Sequence, residues 1–102
     1  GNIIPARSVL LQNYPNPFNP ETWMPYQLRD ASFVTIRVYN SAGQLVKTMD
    51  LGYKDAGVYV SRSRAAYWDG KNEAGEEVAS GIYFYRITAD DFSAVRKMAV
   101  RK

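Results

Sequence analysis

The stretch Val78-Ala79-Ser80-Gly81-Ile82-Tyr83-Phe84-Tyr85-Arg86-Ile87-Thr88-Ala89 constrains the fold more than any other part of the chain. Successive residues of an extended strand point to opposite faces, and here both sets are apolar: Tyr83, Tyr85 and Ile87 on one side, Ile82 and Phe84 on the other. The run is too short for a core helix and too rich in aromatic and β-branched residues. It predicts a central strand with a partner on each edge and cover on both faces, preceded by a turn or bulge at Ser80-Gly81. The rest of the chain has to supply those partners and that cover.

Gly1 to Ser8 is polar apart from a few residues, carries Pro5, and predicts a linker or loose end. Val9 to Tyr14 predicts a short first strand. In Tyr14-Pro15-Asn16-Pro17-Phe18-Asn19-Pro20 three prolines lack the N–H a sheet ladder needs, so the segment is expected to cross the end of the sheet as a stiff connection. Asn13, Asn16 and Asn19 are expected to hydrogen-bond neighbouring backbone. Glu21 to Leu28 resumes as a strand anchored by Trp23, Tyr26 and Leu28 and interrupted at Pro25.

After a turn at Arg29 to Ser32, Phe33 to Asn40 alternates cleanly, with Val34, Ile36 and Val38 inward. Asn40-Ser41-Ala42-Gly43 is a hairpin turn with Gly43 left-handed, and Gln44 to Leu51 is the return strand. Gly52 to Ala56 reads as a loop and Gly57 to Val60 as another strand. Ser61 to Ala66 continues that strand, bulges, or makes a short excursion. Tyr67-Trp68 leads into the polar turn region Asp69 to Glu77. Asp90 to Ser93 then turns the chain into a last strand, Ala94 to Val100. Strands at intervals of about ten residues with no helical period predict an all-β, immunoglobulin-like antiparallel sandwich of about seven strands over residues 9–102.

Composition limits the function. At 102 residues with 46% hydrophobic side chains the chain fits one domain with a core and is no disordered tail. Eight tyrosines against four phenylalanines suggest rings packed in a thin sandwich with hydroxyls at its wet edge. Neither His nor Cys occurs, which removes His-based triads, Cys nucleophiles, disulfides and most zinc sites, so no catalytic residue and no cofactor is expected. Glu76-Glu77 and Asp90-Asp91 fall in turns and read as solvated charge.

Asp69-Gly70-Lys71-Asn72-Glu73 gathers oxygen donors, yet Lys71 and Ala74 stand where the helix-loop-helix calcium pattern needs Asp or Asn and Gly. An Asx-type turn at Asp69 with Trp68 in the core is preferred over an irregular oxygen cage. The net charge of +3 is spread over Arg62, Arg64, Arg96, Lys97, Arg101 and Lys102 among others, without the stripe of a nucleic-acid binder. Alternating exposed charge that guards a strand edge explains it better than a specific anion site. Trp23 and Trp68 are expected in the core rather than on a sugar-stacking platform. No apolar run approaches the roughly 20 residues of a membrane-spanning helix, and no signal peptide precedes Gly1, so an export leader would lie outside this piece.

Five segments together carry a resemblance: Leu11-Gln12-Asn13-Tyr14-Pro15-Asn16-Pro17-Phe18-Asn19-Pro20-Glu21-Thr22; Tyr39-Asn40-x-x-Gly43-Gln44-x-Val46; Trp68-Asp69-Gly70-Lys71-Asn72-x-x-Gly75; Val78 to Tyr85; and Lys97-Met98. In this order the chain resembles the C-terminal sorting domains of type IX secretion cargo, which are similar to the immunoglobulin-like domain of the flagellar hook-capping protein. The resemblance implies a non-catalytic module at the end of a larger exported protein. Its partners would be an outer-membrane translocon, a sortase-like peptidase and an upstream cargo domain, and its destination the cell surface or the medium.

The family's C-terminal motifs carry over onto Gly81, Tyr83, Tyr85, Lys97, Met98 and Val100 as candidate recognition residues. A receptor would read the last strand either as part of a folded shape or by pairing along its edge. The spacing between Tyr59 and Trp68 exceeds the family's, with Ser61 to Ala66 inserted. Two other roles stand beside this one: a structural assembly module like the hook-capping domain, and a carbohydrate-binding accessory module using an exposed Trp23 or Trp68.

Overall fold

The computed structural model describes residues 4–102, so Gly1, Asn2 and Ile3 of the expected linker lie outside the described residues. Where apolar residues alternate, the chain is extended, and nine strands result among the described residues. They are β1 (Val9–Leu10), β2 (Thr22–Met24), β3 (Tyr26–Leu28), β4 (Ser32–Asn40), β5 (Leu45–Lys54), β6 (Gly57–Tyr59), β7 (Ala66–Trp68), β8 (Gly81–Ala89) and β9 (Phe92–Val100). One layer is a four-stranded sheet in the order β5-β4-β8-β9; the other is built from β1-β3-β6 and β2-β7. Every strand pair is antiparallel. No helix among them is long and apolar enough to cross a membrane.

β4 and its hairpin follow local chemistry. Val34, Ile36 and Val38 are fully buried while Phe33 points out. Asn40 Oδ1 then accepts the N–H groups of Ala42 and Gln44, and Gly43 takes φ 82°, which closes the turn into β5. The expected loop at Gly52 to Ala56 is largely strand instead. β5 runs on to Lys54 through a bulge at which Val34 faces Gly52 and Thr35 faces Asp50.

β8 has β4 on one edge and β9 on the other, as a central strand should. The expectation of cover on both faces is overturned, and the strand begins at Gly81 rather than Val78. Tyr85 and Ile87 are fully buried and Tyr83 nearly so, but Ile82 is 42% exposed, Phe84 is half-buried and Arg86 is exposed. With only two layers, one face of each sheet necessarily meets solvent.

Pro25 divides what would be one strand into β2 and β3, and its carbonyl accepts the N–H of Leu11 at 3.0 Å. The inner faces of both layers meet in one core holding Leu10, Phe18, Met24, Tyr26, Leu28 and Trp68 against Val34, Ile36, Tyr85 and Met98. The first strand is shorter than expected; Tyr14 joins only as an isolated bridge to Trp23. Residues 5–8, read as a loose end, lie against the sheet: Pro5 is buried, Gln27 Nε2 donates to the Arg7 carbonyl, and the Arg29 N–H donates to Ser8 Oγ.

The tyrosines only partly keep their hydroxyls at the wet edge. Tyr59 and Tyr83 each donate to a carbonyl four residues upstream, Asp55 and Ala79, both at 2.7 Å. Tyr26 and Tyr85 are buried outright.

Candidate functional site

The β8–β9 register sets Gly81 opposite Val100, Tyr83 opposite Met98, and Tyr85 opposite Arg96, beside Phe84 and Lys97. All six residues singled out from sequence therefore share one strand pair. Their exposure differs sharply: Tyr83, Tyr85, Met98 and Val100 are buried, whereas Gly81 and Lys97 are exposed. Of the six, only Lys97 and Gly81 are open to solvent; the other four lie beneath the surface.

Tyr85 does more than fill space. Its hydroxyl accepts the Asn13 N–H at 2.8 Å and donates to the Leu11 carbonyl at 2.7 Å, tying β8 to the start of the proline-rich segment. Burial pushes the phenol up to about 12, opposed by the Asn13 N–H and by the Arg96 charge. Burial also raises the Tyr83 phenol.

The proline-rich segment crosses the sheet end and also covers the edge of β9. Phe18 N–H donates to the Ala99 carbonyl at 3.0 Å and Arg101 N–H to the Phe18 carbonyl at 3.1 Å. Asn16 Oδ1 accepts the Ala99 N–H at 3.0 Å, and Gln12 Nε2 donates to the Lys97 carbonyl at 2.8 Å. Thus the expectation of a last strand open for pairing is corrected over its C-terminal half, where the Lys97 carbonyl and both polar groups of Ala99 already have partners. Its first half, up to Val95, has no such cover among the described residues and borders a groove of about 570 Å³ shared with β1. Of the three asparagines, Asn13 bonds locally to Thr22 Oγ1 and the Pro15 carbonyl, Asn16 reaches across to β9, and Asn19 is exposed.

Behind this segment Phe18 packs edge-on against Trp68 at 5.5 Å, and Trp68 against Tyr83 at 6.2 Å. Trp68 is buried as expected, its Nε1 donating to the Lys71 carbonyl at 2.9 Å. Asp69 Oδ1 accepts the Lys71 N–H at 3.0 Å, the expected Asx-type turn. The loop that follows repeats the first hairpin: Asn72 Oδ1 accepts the N–H groups of Ala74 and Glu76 just as Asn40 does for Ala42 and Gln44. Glu73, carried on this second loop, accepts the Thr48 N–H at 2.7 Å and donates its own N–H to the Val46 carbonyl, capping part of the β5 edge. Among the described residues no three acidic side chains converge as a cation site.

Trp23 is not the core anchor expected. It is half-buried on the outer side, stacked with Tyr14 at 6.2 Å and tilted against Tyr67 at 5.5 Å. The Ser61 to Ala66 segment resolves into a tight excursion, with the Arg64 and Ala65 N–H groups bonded to the Ser61 carbonyl. It lays the Arg62 guanidinium 4.4 Å from the Trp23 ring centre and that of Arg64 4.7 Å from Tyr59. The ring face a sugar would need is occupied by Arg62. Sequence reading missed this pairing and the edge-covering roles of Gln12 and Asn16, because each joins residues far apart in the chain.

The sequence model of the FlgD Ig-like domain matches residues 19–92. No curated protein matches the chain. Among solved structures, the dimeric latent PorU of Porphyromonas gingivalis aligns with 94% of this chain at a TM-score of 0.66 and 20% identity, over 10% of its own length. PorZ of the same organism, described as an essential surface component of the type IX secretion system, aligns with 89% at 0.59 and 18% identity, over 11% of its length. The chain spans about a tenth of each of these proteins, and the likeness is one of fold.

Proposed function

The chain belongs to the FlgD Ig-like domain family, and from that membership we propose that it is a non-catalytic C-terminal module directing a larger exported protein through the type IX secretion system to the cell surface. One observation carries the reading. The most distinctive stretch of the sequence, Gln12 to Phe18, is spent on fastening the last strand and the residues after it, through the Lys97 carbonyl, both polar groups of Ala99 and the Arg101 N–H. Lys102 is held as well, by Ser80 and Glu77. A tag that other machinery handles as a shape needs a preformed surface, and this one presents Lys97 and Gly81 on a fixed frame. The fold shared with PorU and PorZ supports a secretion context. An outer-membrane translocon and a sortase-like peptidase are the partners this reading requires.

The test fuses a reporter upstream of the 102-residue chain in a host that has the system. Protease-accessible reporter at the surface, lost without the chain and in a translocon-null strain, is the expected result. Equal surface delivery without the chain overturns the proposal. Family membership also favours a second reading, an assembly module like the hook-capping domain. Native mass measurement at micromolar concentration would then return an oligomer, and a monomer would dismiss it.

A further inference from the structure

The outer face of the four-stranded sheet has no partner layer, and its residues follow from the register. One row reads Leu45, Tyr39, Phe84, Lys97 across the four strands, and the next Thr48, Arg37, Arg86, Val95. Leu45 is 54%, Ile82 42% and Val95 46% exposed, while Tyr39 and Phe84 are half-buried. Tyr39, Phe84, Arg86 and Val95 line a depression of about 380 Å³.

Arg37 and Arg86 are direct cross-strand neighbours, an arrangement that costs stability because like charges face each other. The ion pairs among the described residues are Arg29–Asp30, Lys47–Glu73 and Lys102–Glu77, so neither arginine is neutralised. Arg86 donates only to the neutral Ser93 Oγ, and Asp50, the acid on this face, is engaged with the Gly52 N–H.

We propose that this face docks an acidic protein partner, whose carboxylates pair with Arg37 and Arg86 while apolar side chains settle on Tyr39, Phe84, Leu45 and Val95. Charge complementarity selects the partner. Two adjacent guanidiniums without carboxylates, ringed by apolar surface, form a site whose missing half is anionic and partly apolar. A second copy docked face to face about a twofold axis would set arginine against arginine. A glycan would stack on an open aromatic face, whereas the rings beside the arginines, Tyr39 and Phe84, are half-buried, and the exposed rings of this sheet, Phe33 and Tyr53, are packed edge to face with each other at the far end of β4 and β5.

The inference stands apart from the secretion reading, since the test changes Arg37 and Arg86 and leaves Lys97 alone. The whole chain is titrated, with amide chemical shifts as readout, against a helical peptide of about sixteen residues carrying Glu at i, i+4 beside Leu on one face. Saturable shifts at Arg37, Tyr39, Phe84, Arg86 and Val95 are expected. Arg37→Gln with Arg86→Gln should weaken binding by about tenfold, and Arg86→Lys by less, because it keeps the charge and loses the fork. Arg29→Gln with Lys71→Gln, which removes equal charge elsewhere, should leave the affinity within about twofold. Equal weakening by both double variants overturns the proposal. So does an identical shift pattern from inorganic phosphate or a heparin oligosaccharide at matched charge, or a peptide footprint centred off this face.

Discussion

At the scale of single residues, Tyr85 and Gly70 show how a buried contact becomes a measurable cost. Tyr85→Phe keeps the packing but leaves the Asn13 N–H and the Leu11 carbonyl unpaired inside the protein. The expected loss is about 2–3 kcal/mol, read as a lower midpoint in urea. The phenol also links stability to pH. An unfolded tyrosine ionises near 10, whereas burial holds Tyr85 at about 12, so above pH 10 the unfolded chain releases its proton first. This contribution is therefore complete below pH 10 and fades as pH rises toward 12. Urea midpoints at pH 9 and pH 11 should fall less for Tyr85→Phe than for the parent chain. Gly70 combines φ 78° with a neighbour that cannot yield: a methyl there would run into the Pro20 carbonyl, with the Phe18 ring 3.8 Å away. Gly43, at φ 82°, has open space around it. Gly43→Ala should cost about 1–2 kcal/mol of backbone strain, and Gly70→Ala on the order of 2–4 kcal/mol because overpacking adds to it. Equal losses in thermal melts would mean that the Pro20 contact is slack.

Among the elements, local chemistry was legible and long-range chemistry was not. The inward set Val34, Ile36, Val38 and the Asn40 turn could be read directly, because alternation and turn capping act within a few residues. The pattern of β8 predicts two strand partners, which it has, and cover on both faces, which it lacks, since an apolar strand pattern does not state how many layers a fold has. The cover on β9 escaped because Gln12 and Lys97 are 85 residues apart. Of the candidate site, resemblance names the six residues, and it is the β8–β9 register that sets them on one strand pair. The burial of Tyr83, Tyr85, Met98 and Val100 depends on the opposite layer. Two measurements bear on elements. Arg62→Ala should uncover Trp23, raising iodide quenching of tryptophan fluorescence at a stability cost of about 0.5–1 kcal/mol; unchanged quenching would mean that the excursion does not hold Arg62 over the ring. Arg37→Gln relieves the like-charge pair with Arg86 and should raise stability by about 0.2–1 kcal/mol, the outcome expected of a pair kept for binding rather than folding.

For the molecule as a whole, the question is whether the proline-rich segment is a strap laid over a finished sandwich or part of its core. Its fastenings argue for the second. Phe18 is 1% exposed within the single core, Asn13 bonds Tyr85 across 72 residues of sequence, and the Asn16–Ala99 bond spans 83. The Cα radius of gyration, 13.3 Å, is close to the roughly 13 Å of one compact domain of this length. If the proline-rich segment, the central strand and the last strand share one core, no part can open while the others stay folded, and unfolding is two-state. Far-UV dichroism and tryptophan fluorescence should then give coincident urea transitions. Asn16→Ala, which strips the Ala99 N–H of its acceptor at the far edge of the sheet, should lower both midpoints together by about 1 kcal/mol of stability. A fluorescence transition that moves ahead of the dichroism would mean that the Phe18–Trp68 cluster loosens by itself. The segment would then be a detachable strap whose release uncovers the edge of the last strand.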